Sequence, residues 1–358
     1  MEQIEVLPHP NADSLELARV GDYRAVIPKG QYESGQWCLY IPEQAVLPND
    51  LIGELGLTGK LAGSKKNRVK AIRLRGEISQ GIVCRPDVPW INWSNPTDPI
   101  KHAGKEDLAE RLGIVKWAPP IPAHMAGDVE AAGHLVRWPD IENIKRYPDI
   151  FVPGEDVILT EKIHGTCCLI TYVKDADTLL VSSKGLGGRN LALKENENNL
   201  YWRAVHKYGL RDKLAAMCAA LVCEKIAMFG EVYGHGVQDL GYGVIAHADG
   251  PGFAGFDLWY RNIHGEEGFV NQRAALALMD SLEIPTVPVV YEGEWDYEFA
   301  KKMAEQVEEV SGEGVNIREG LVIRPFEETT STVTGSRKIG KLISEQYLLR
   351  KGDTTEYE

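Results

Sequence analysis

Residues 156–173 read DVILTEKIHGTCCLITYV. Apolar residues run up to Glu161-Lys162, Ile163-His164-Gly165 interrupts them, and a second apolar run follows. Two strands separated by a tight break account for the pattern. Lys162 then closes the first strand with its amine directed into a cleft, and Gly165 lets a phosphate or ribose approach the backbone closely. An amine attacks only when deprotonated, so nearby cations and partial burial must depress its pKa. Alone, K-x-x-G is a weak signal, since most such matches are surface turns.

Further along the chain, TLLVSS (178–183), IAMFGEVYG (226–234), FAGFDLWY (253–260) and GLVIRPF (320–326) read as strands. Residues 198–223 read as one long helical stretch, and 271–282 and 297–310 as helices, from the spacing of their apolar residues. Strands and helices mix without strict βαβ alternation. An α+β domain of mixed, mainly antiparallel sheets with flanking helices is therefore expected over residues 141–358. Residues 101–140 read as a loop-rich linker; RPDVPWINWSNPTDP (85–99) and WAPPIPAH (117–124) are rich in proline, and Lys105–Leu112 alone has helical character. Residues 1–100 read as β. IEVL, LELARV, YRAVIP and WCLYIP are short runs broken by turn residues, with further runs at Arg68–Leu74 and Ile78–Cys84 on either side of Arg75-Gly76-Glu77. Five or so short strands in about a hundred residues suggest a small barrel.

The 358 residues carry 39 Lys+Arg against 52 Asp+Glu, a net charge of −13, which excludes a protein that coats nucleic acid nonspecifically. The charge is uneven. From Lys60 to Arg75 there are seven cations (Lys60, Lys65, Lys66, Arg68, Lys70, Arg73, Arg75) and no acid, a local grip for a polyanion or simply a solvated face. Hydrophobic residues at 44% and charged residues at 25% are those of a globular protein, and no apolar run reaches the length of a membrane span. The six cysteines contain no C-x-x-C pair, against a zinc ribbon or dithiol centre, and without an export signal they are expected as reduced thiols in a cytoplasmic protein.

Lys162 does not stand alone. In chain order follow Ser182-Ser183-Lys184-Gly185, Phe229-Gly230-Glu231-Val232-Tyr233-Gly234, Phe256-Asp257-Leu258, Glu319-Gly320-Leu321-Val322-Ile323-Arg324 and Lys338-Ile339-Gly340-Lys341. The series resembles the ordered motifs of covalent nucleotidyltransferases, the superfamily of ATP-dependent ligases and capping enzymes. EKIHGT resembles the RNA-ligase branch. GEVYGHGVQDLGYG, the KLISEQYLL ending and PHPNADSLELARV, which resembles the opening of OB-fold tRNA-binding modules, narrow the resemblance to Deinococcus-type ATP-dependent RNA ligases.

What the resemblance implies is specific. Lys162 would attack the α-phosphorus of ATP and carry AMP, which passes to an RNA 5′-phosphate before a 3′-hydroxyl displaces it. Glu319, and Glu231 with it, would hold Mg2+ or Mn2+; a lone carboxylate in an apolar strand is otherwise costly. Glu231 would alternatively hold the ribose. Lys341 would neutralise the α-phosphate. Glu161, Ile163, Gly165, Lys184, Phe256, Val322 and Lys338 would line the nucleotide pocket, with Phe256 stacked on adenine or else ordinary core. Lys65, Lys66, Arg68 and Lys70 would contact RNA. His164 reads as structural, Asp239 and Tyr242 as ordering a loop near the site, and Cys167 and Cys168 as buried hydrophobes.

Two departures from the family pattern stand out. Related enzymes have two lysines separated by one residue in the last motif, whereas Ile339 occupies that place here and Lys338 lies three before Lys341. Odd spacing on a strand puts the two on opposite faces unless a bulge at Gly340 re-aims one. Lys184 stands where some branches carry arginine, a point charge in place of a planar fork. The rival readings are a GTP-dependent capping-type enzyme and a nonenzymatic RNA- or tRNA-binding protein. The former carries an OB domain after the last motif, where only seventeen residues remain here; the latter has no need of an activated lysine. The expected partner is RNA with 3′-OH and 5′-phosphate ends in a nicked duplex, with no membrane and no obligate protein partner.

Overall fold

A computed structural model describes residues 1–94, 108–117, 127–244 and 249–350. The chain forms two compact units, residues 1–119 and 120–357.

The first unit is built from short strands. Glu5–Pro8, Leu15–Val20 and Tyr23–Pro28 form an antiparallel meander; Glu2–Gln3, Trp37–Ile41 and Ile82–Cys84 form a second antiparallel sheet. Alternation along the strands turns Ala25 and Ile27 inward with Ala18, Val20, Ile4 and Cys38, while Leu39, Ile41, Leu47, Leu51 and Ile52 build a second cluster. The run expected as a strand over Arg68–Leu74 is one only at Ile72–Leu74, paired with Glu77–Ser79. Arg68 instead makes isolated bridges to Val46 and Ala62. Of the expected helix at Lys105–Leu112, Leu108–Arg111 is helical and residues 105–107 lie outside the described residues, as does most of WAPPIPAH. The stretch read as a linker is shared out: Val115–Lys116 pairs with Ala45–Val46 in the first unit, and Val129–Ala131 joins a sheet of the second.

The second unit has two sheets. Seven antiparallel strands run in the order Val129–Ala131, Leu191–Leu193, Thr178–Ser183, Thr166–Val173, Cys223–Tyr233, Gly252–Asn262, Glu267–Phe269. One face (Cys168, Ile170, Tyr172, Met228, Leu258) packs on helices Leu200–Lys207, Leu210–Ala220 and Gln272–Ser281, and the other (Leu169, Leu180, Ala227, Phe229, Trp259) on Leu135 and Val136. The five-stranded sheet has the order Glu142–Asn143, Gly340–Ile343, Gly320–Pro325, Asp156–Lys162, Val289–Glu294, with its first pair parallel. Here Val157, Leu159, Leu321, Ile323 and Leu342 pack on helix Tyr297–Ala304, which by the two-residue period sends Lys162, Val322 and Lys341 to the opposite face. Arg324, almost fully buried on that opposite face, reaches Asp257 of the seven-stranded sheet at 3.5 Å and ties the two sheets together.

Two expected helices are shorter than their periodicity suggests. The stretch 198–223 is broken at Gly209, whose φ of +60° suits glycine and ends one helix before the next begins, and Cys223 already starts a strand. The helix expected to reach Val310 stops at Ala304. Beyond it the buried Glu308 accepts hydrogen bonds from the backbone of Ser311 (2.8 Å) and Val315 (3.0 Å), so a carboxylate organises a loop where the apolar spacing suggests helix.

Candidate active site

Lys162 ends its strand opposite Gly320, and Glu319 is the next residue along. A side chain at Gly320 would meet Leu342 O at 2.1 Å, so glycine there lets the strands close beside the carboxylate. Lys162 Nζ donates to Glu319 Oε1 at 2.6 Å. The lysine side chain keeps 30% of its exposure while Glu319 keeps 10%. From the other sheet comes Glu231, in register with Cys167, whose thiol donates to its carboxylate along with the Gly165 N–H. Cys168 is in the core as expected; Cys167, on the alternate face, serves the site.

The electrostatics follow from this crowding. Burial alone would depress the Lys162 amine, but the carboxylates of Glu319 and Glu231 outweigh it and hold the pKa well above the ordinary lysine range. Burial pushes the Glu231 carboxyl up to about 8, with Lys162 opposing. Glu319 Oε2 is buried and makes no hydrogen bond among the described residues. An orphaned carboxylate oxygen beside a second carboxylate suits a divalent cation. The described residues contain no group of three or more His, Cys, Asp or Glu that could hold a metal. A cation here would draw its other ligands from water and phosphate oxygens, as Mg2+ commonly does.

Behind the lysine lies His164, also buried. Its Nε2 meets Asp239 Oδ1 at 2.7 Å, its Nδ1 meets the Tyr347 hydroxyl at 3.1 Å, and its backbone N donates to the Tyr242 hydroxyl at 2.7 Å. Arg350 donates to Asp239 Oδ2 at 3.0 Å. Burial works against the Asp239 charge, yet hydrogen bonds from His164 and Arg350 hold its carboxyl well below the usual range. Tyr347 and Arg350 are the site residues sequence reasoning missed. Their contacts span 183 and 111 residues, and no local spacing signals them.

The remaining expected residues separate into two groups. Val322 and Lys341 are paired with each other on the face that carries Lys162, and Ile163 is buried with Leu240, Tyr242 and Tyr347. Gly165 is closely approached by the protein itself, since a Cβ would meet Val232 O at 2.3 Å. Glu161 points to the opposite face, where it accepts from Glu309 N at 2.8 Å, faces Arg318 at 3.4 Å, and is pushed up to about 7 by burial. Lys338 pairs with Glu155 at 2.6 Å, beyond the far end of the Lys162 strand, and the exposed Lys184 pairs with Asp140 at 3.0 Å. Phe256 is skipped where the register shifts between Phe229–Asp257 and Gly230–Gly255, and it packs edge-on against Trp138 with ring centroids 5.6 Å apart. In the first unit Lys65 and Lys66 are exposed and Lys70 is half-buried. Arg68 is 3% exposed with its guanidinium 4.2 Å from the Trp117 ring centre, so its charge is not offered to solvent.

A strand-end lysine facing two acidic side chains across paired antiparallel sheets is a site suited to nucleotidyl transfer. The family model described as RNA ligase matches residues 155–343, and this chain belongs to the RNA ligase family. An OB-fold domain model matches residues 1–86, which agrees with the barrel expected there. Solved structures of Naegleria gruberi RNA ligase share the fold. A lysine-to-alanine variant with ATP and Mn is 22% identical, with a TM-score of 0.76 over 97% of each chain. A form with PPi (22%, TM-score 0.75) and a glutamate-to-alanine variant with AMP and Mn (22%, TM-score 0.75) each match 97% of this chain and 96% of theirs. No curated protein sequence matches the chain. Among the described residues no helix is long and apolar enough to cross a membrane.

Proposed function

We propose that this RNA ligase is ATP-dependent and seals 3′-hydroxyl to 5′-phosphate ends at nicks in a duplex, through lysyl-AMP and RNA-adenylate intermediates. The observation that carries the reading is Lys162 Nζ held 2.6 Å from Glu319 at a strand end, with Glu231 beside it. The ATP, AMP, PPi and Mn in the Naegleria gruberi structures support the choice of nucleotide and cation.

Lys162 attacks the α-phosphorus, forming the P–N bond as pyrophosphate leaves. To do so the amine must lose the proton that the neighbouring carboxylates favour. Glu319 Oε1, already hydrogen-bonded to it, is the acceptor within reach. Glu319 and Glu231 would hold a divalent cation, whose positive charge would offset the carboxylates and the phosphates. Lys341, on the same sheet face, offers its ammonium to the α-phosphate as charge builds. The adenylate then passes to the RNA 5′-phosphate, and the 3′-hydroxyl displaces AMP. Residues 1–119 grip the RNA through the cations between Lys60 and Arg75, of which Arg68 is excluded by its burial.

Incubation with labelled ATP or GTP tests the first step. Covalent label from ATP, absent in Lys162→Ala, is expected; label from GTP alone would make the chain a capping-type enzyme. Sealing of a nicked RNA duplex by the labelled enzyme tests the rest.

A further inference from the structure

In the first unit, the hairpin Ile72–Leu74/Glu77–Ser79 has one packed strand and one bare strand. Ile78 and Ser79 are buried, and Ser79 Oγ accepts from Val26 N at 2.9 Å. On the other strand Ile72, Arg73, Leu74 and the turn residue Arg75 are all exposed, Ile72 by 47% and Leu74 by 36%. Strand alternation puts Ile72 and Leu74 on one face and Arg73 on the other. Neither Arg73 nor Arg75 has a carboxylate partner among the described residues.

The turn points the same way. Arg75 and Gly76 have φ of +50° and +94°, the paired positive values of a tight hairpin that favours Asn-Gly. An arginine at the first position is strained there. Buried His9 straps the hairpin: its Nε2 donates to Leu74 O at 3.2 Å while its Nδ1 accepts from Asn11 N at 3.1 Å. Arg73 Nη1 donates to Gly76 O at 3.4 Å within the turn, so what the braced hairpin exposes is two arginines without a carboxylate partner among the described residues and a bare aliphatic pair.

We infer that this hairpin is the ribbon that holds RNA, with Arg73 and Arg75 on backbone phosphates and Ile72 and Leu74 against ribose. The inference rests on the reading that residues 1–119 grip RNA, and it locates that grip on the hairpin instead of the loop around Lys65 and Lys66. Charge selects the occupant, because the exposed Arg73 and Arg75 end a run from Lys60 that contains no acid, and such a local excess of cations on a chain of net charge −13 complements a polyanion. The shape agrees, since the wide, shallow minor groove of an RNA duplex displays riboses flanked by phosphates.

The test is binding of the full-length protein to a nicked RNA duplex over a range of salt concentrations. Joint Arg73→Gln and Arg75→Gln substitution is expected to lower affinity roughly tenfold at low salt. It should also flatten the slope of log affinity against log salt by about 1 to 2, one counterion release per lost phosphate contact. Arg73→Lys with Arg75→Lys keeps the slope. Ile72→Ser with Leu74→Ser is expected to lower affinity several-fold at every salt concentration with the slope unchanged, because no charge is lost. Covalent AMP labelling should be unchanged in all three, and an unchanged thermal melt and resistance of residues 1–119 to limited proteolysis report that the first unit folds. A steep wild-type slope that survives the Arg→Gln pair overturns the hairpin and leaves the wider reading standing. A wild-type protein with no salt dependence overturns both. If the serine pair leaves RNA affinity intact but changes the sedimentation of the protein, the aliphatic face belongs to a protein contact and the inference fails.

Discussion

Lys162 and its two acidic neighbours show how much a single charge depends on who faces it. The amine is protonated in the closed pair with Glu319, and the same carboxylates that suit a cation keep it so. Glu231 shows the converse. Its folded pKa of about 8 lies above the ordinary 4.5, so the folded state binds a proton that the unfolded chain releases earlier. This group's contribution to stability is therefore fully present below about pH 4.5 and is lost as pH rises through about 8. Glu231→Gln should remove that slope: without metal, its melting temperature should exceed that of the native protein by a few degrees at pH 8.5 and match it at pH 4.5. Equal melting curves at both pH values would mean that the carboxyl titrates normally. The two lysines of the last motif make a second contrast. Lys338 is paired with Glu155 and Lys341 shares the face of Lys162, so Lys341→Ala should slow single-turnover adenylation at least 100-fold and Lys338→Ala less than about fivefold. Comparable losses would place Lys338 in the phosphate site.

At the scale of the element, the short helix Glu345–Leu348 acts on the site without carrying a reacting group. Ser344 caps it through Tyr347 N (3.1 Å), and the Glu305 carboxylate accepts from Glu345 N (2.6 Å) and Gln346 N (3.2 Å), which satisfies its first-turn donors. So anchored, it presents the Tyr347 hydroxyl to His164, two residues from the nucleophile. Tyr347→Phe keeps the ring and removes that hydrogen bond. It should slow adenylation roughly tenfold, with little change in KM for ATP and less than about 2 kcal/mol lost in stability. An unchanged rate in rapid-quench measurements would reduce Tyr347 to packing. Nothing in SEQYLL shows which residue of the site its tyrosine reaches. The shortened helix Tyr297–Ala304 was illegible for a related reason, because Glu305 and Glu308 hydrogen-bond to backbone groups that helical spacing ignores.

At the scale of the whole molecule, each compact unit has hydrophobic clusters of its own, and the residues of the lysine site all lie in the second. A chain beginning near residue 120 should accordingly stay folded and form lysyl-AMP, while losing most of its sealing of nicked RNA duplex. Melting temperature, AMP labelling and sealing measured on that one protein distinguish the outcomes; sealing at the native rate would deny the first unit its RNA role. What the sequence alone determined is whatever repeats locally. The two-residue period of DVILTEKIHGTCCLITYV set the strands and put Lys162 at a strand end, while the mixture of periods set the α+β class and the short runs with turn residues set the barrel. Which distant groups meet is settled only once the sheets assemble. Glu319 lies 157 residues from Lys162 in the chain, and Tyr347 lies 183 residues from His164. Strand order and register bring them together, and neither is written in the pattern of any one strand. The same holds for what the structure turned away from the site. Lys338 and Arg68 are cations in the sequence like any other, and a carboxylate in one case and burial beneath Trp117 in the other determine what their charges can reach.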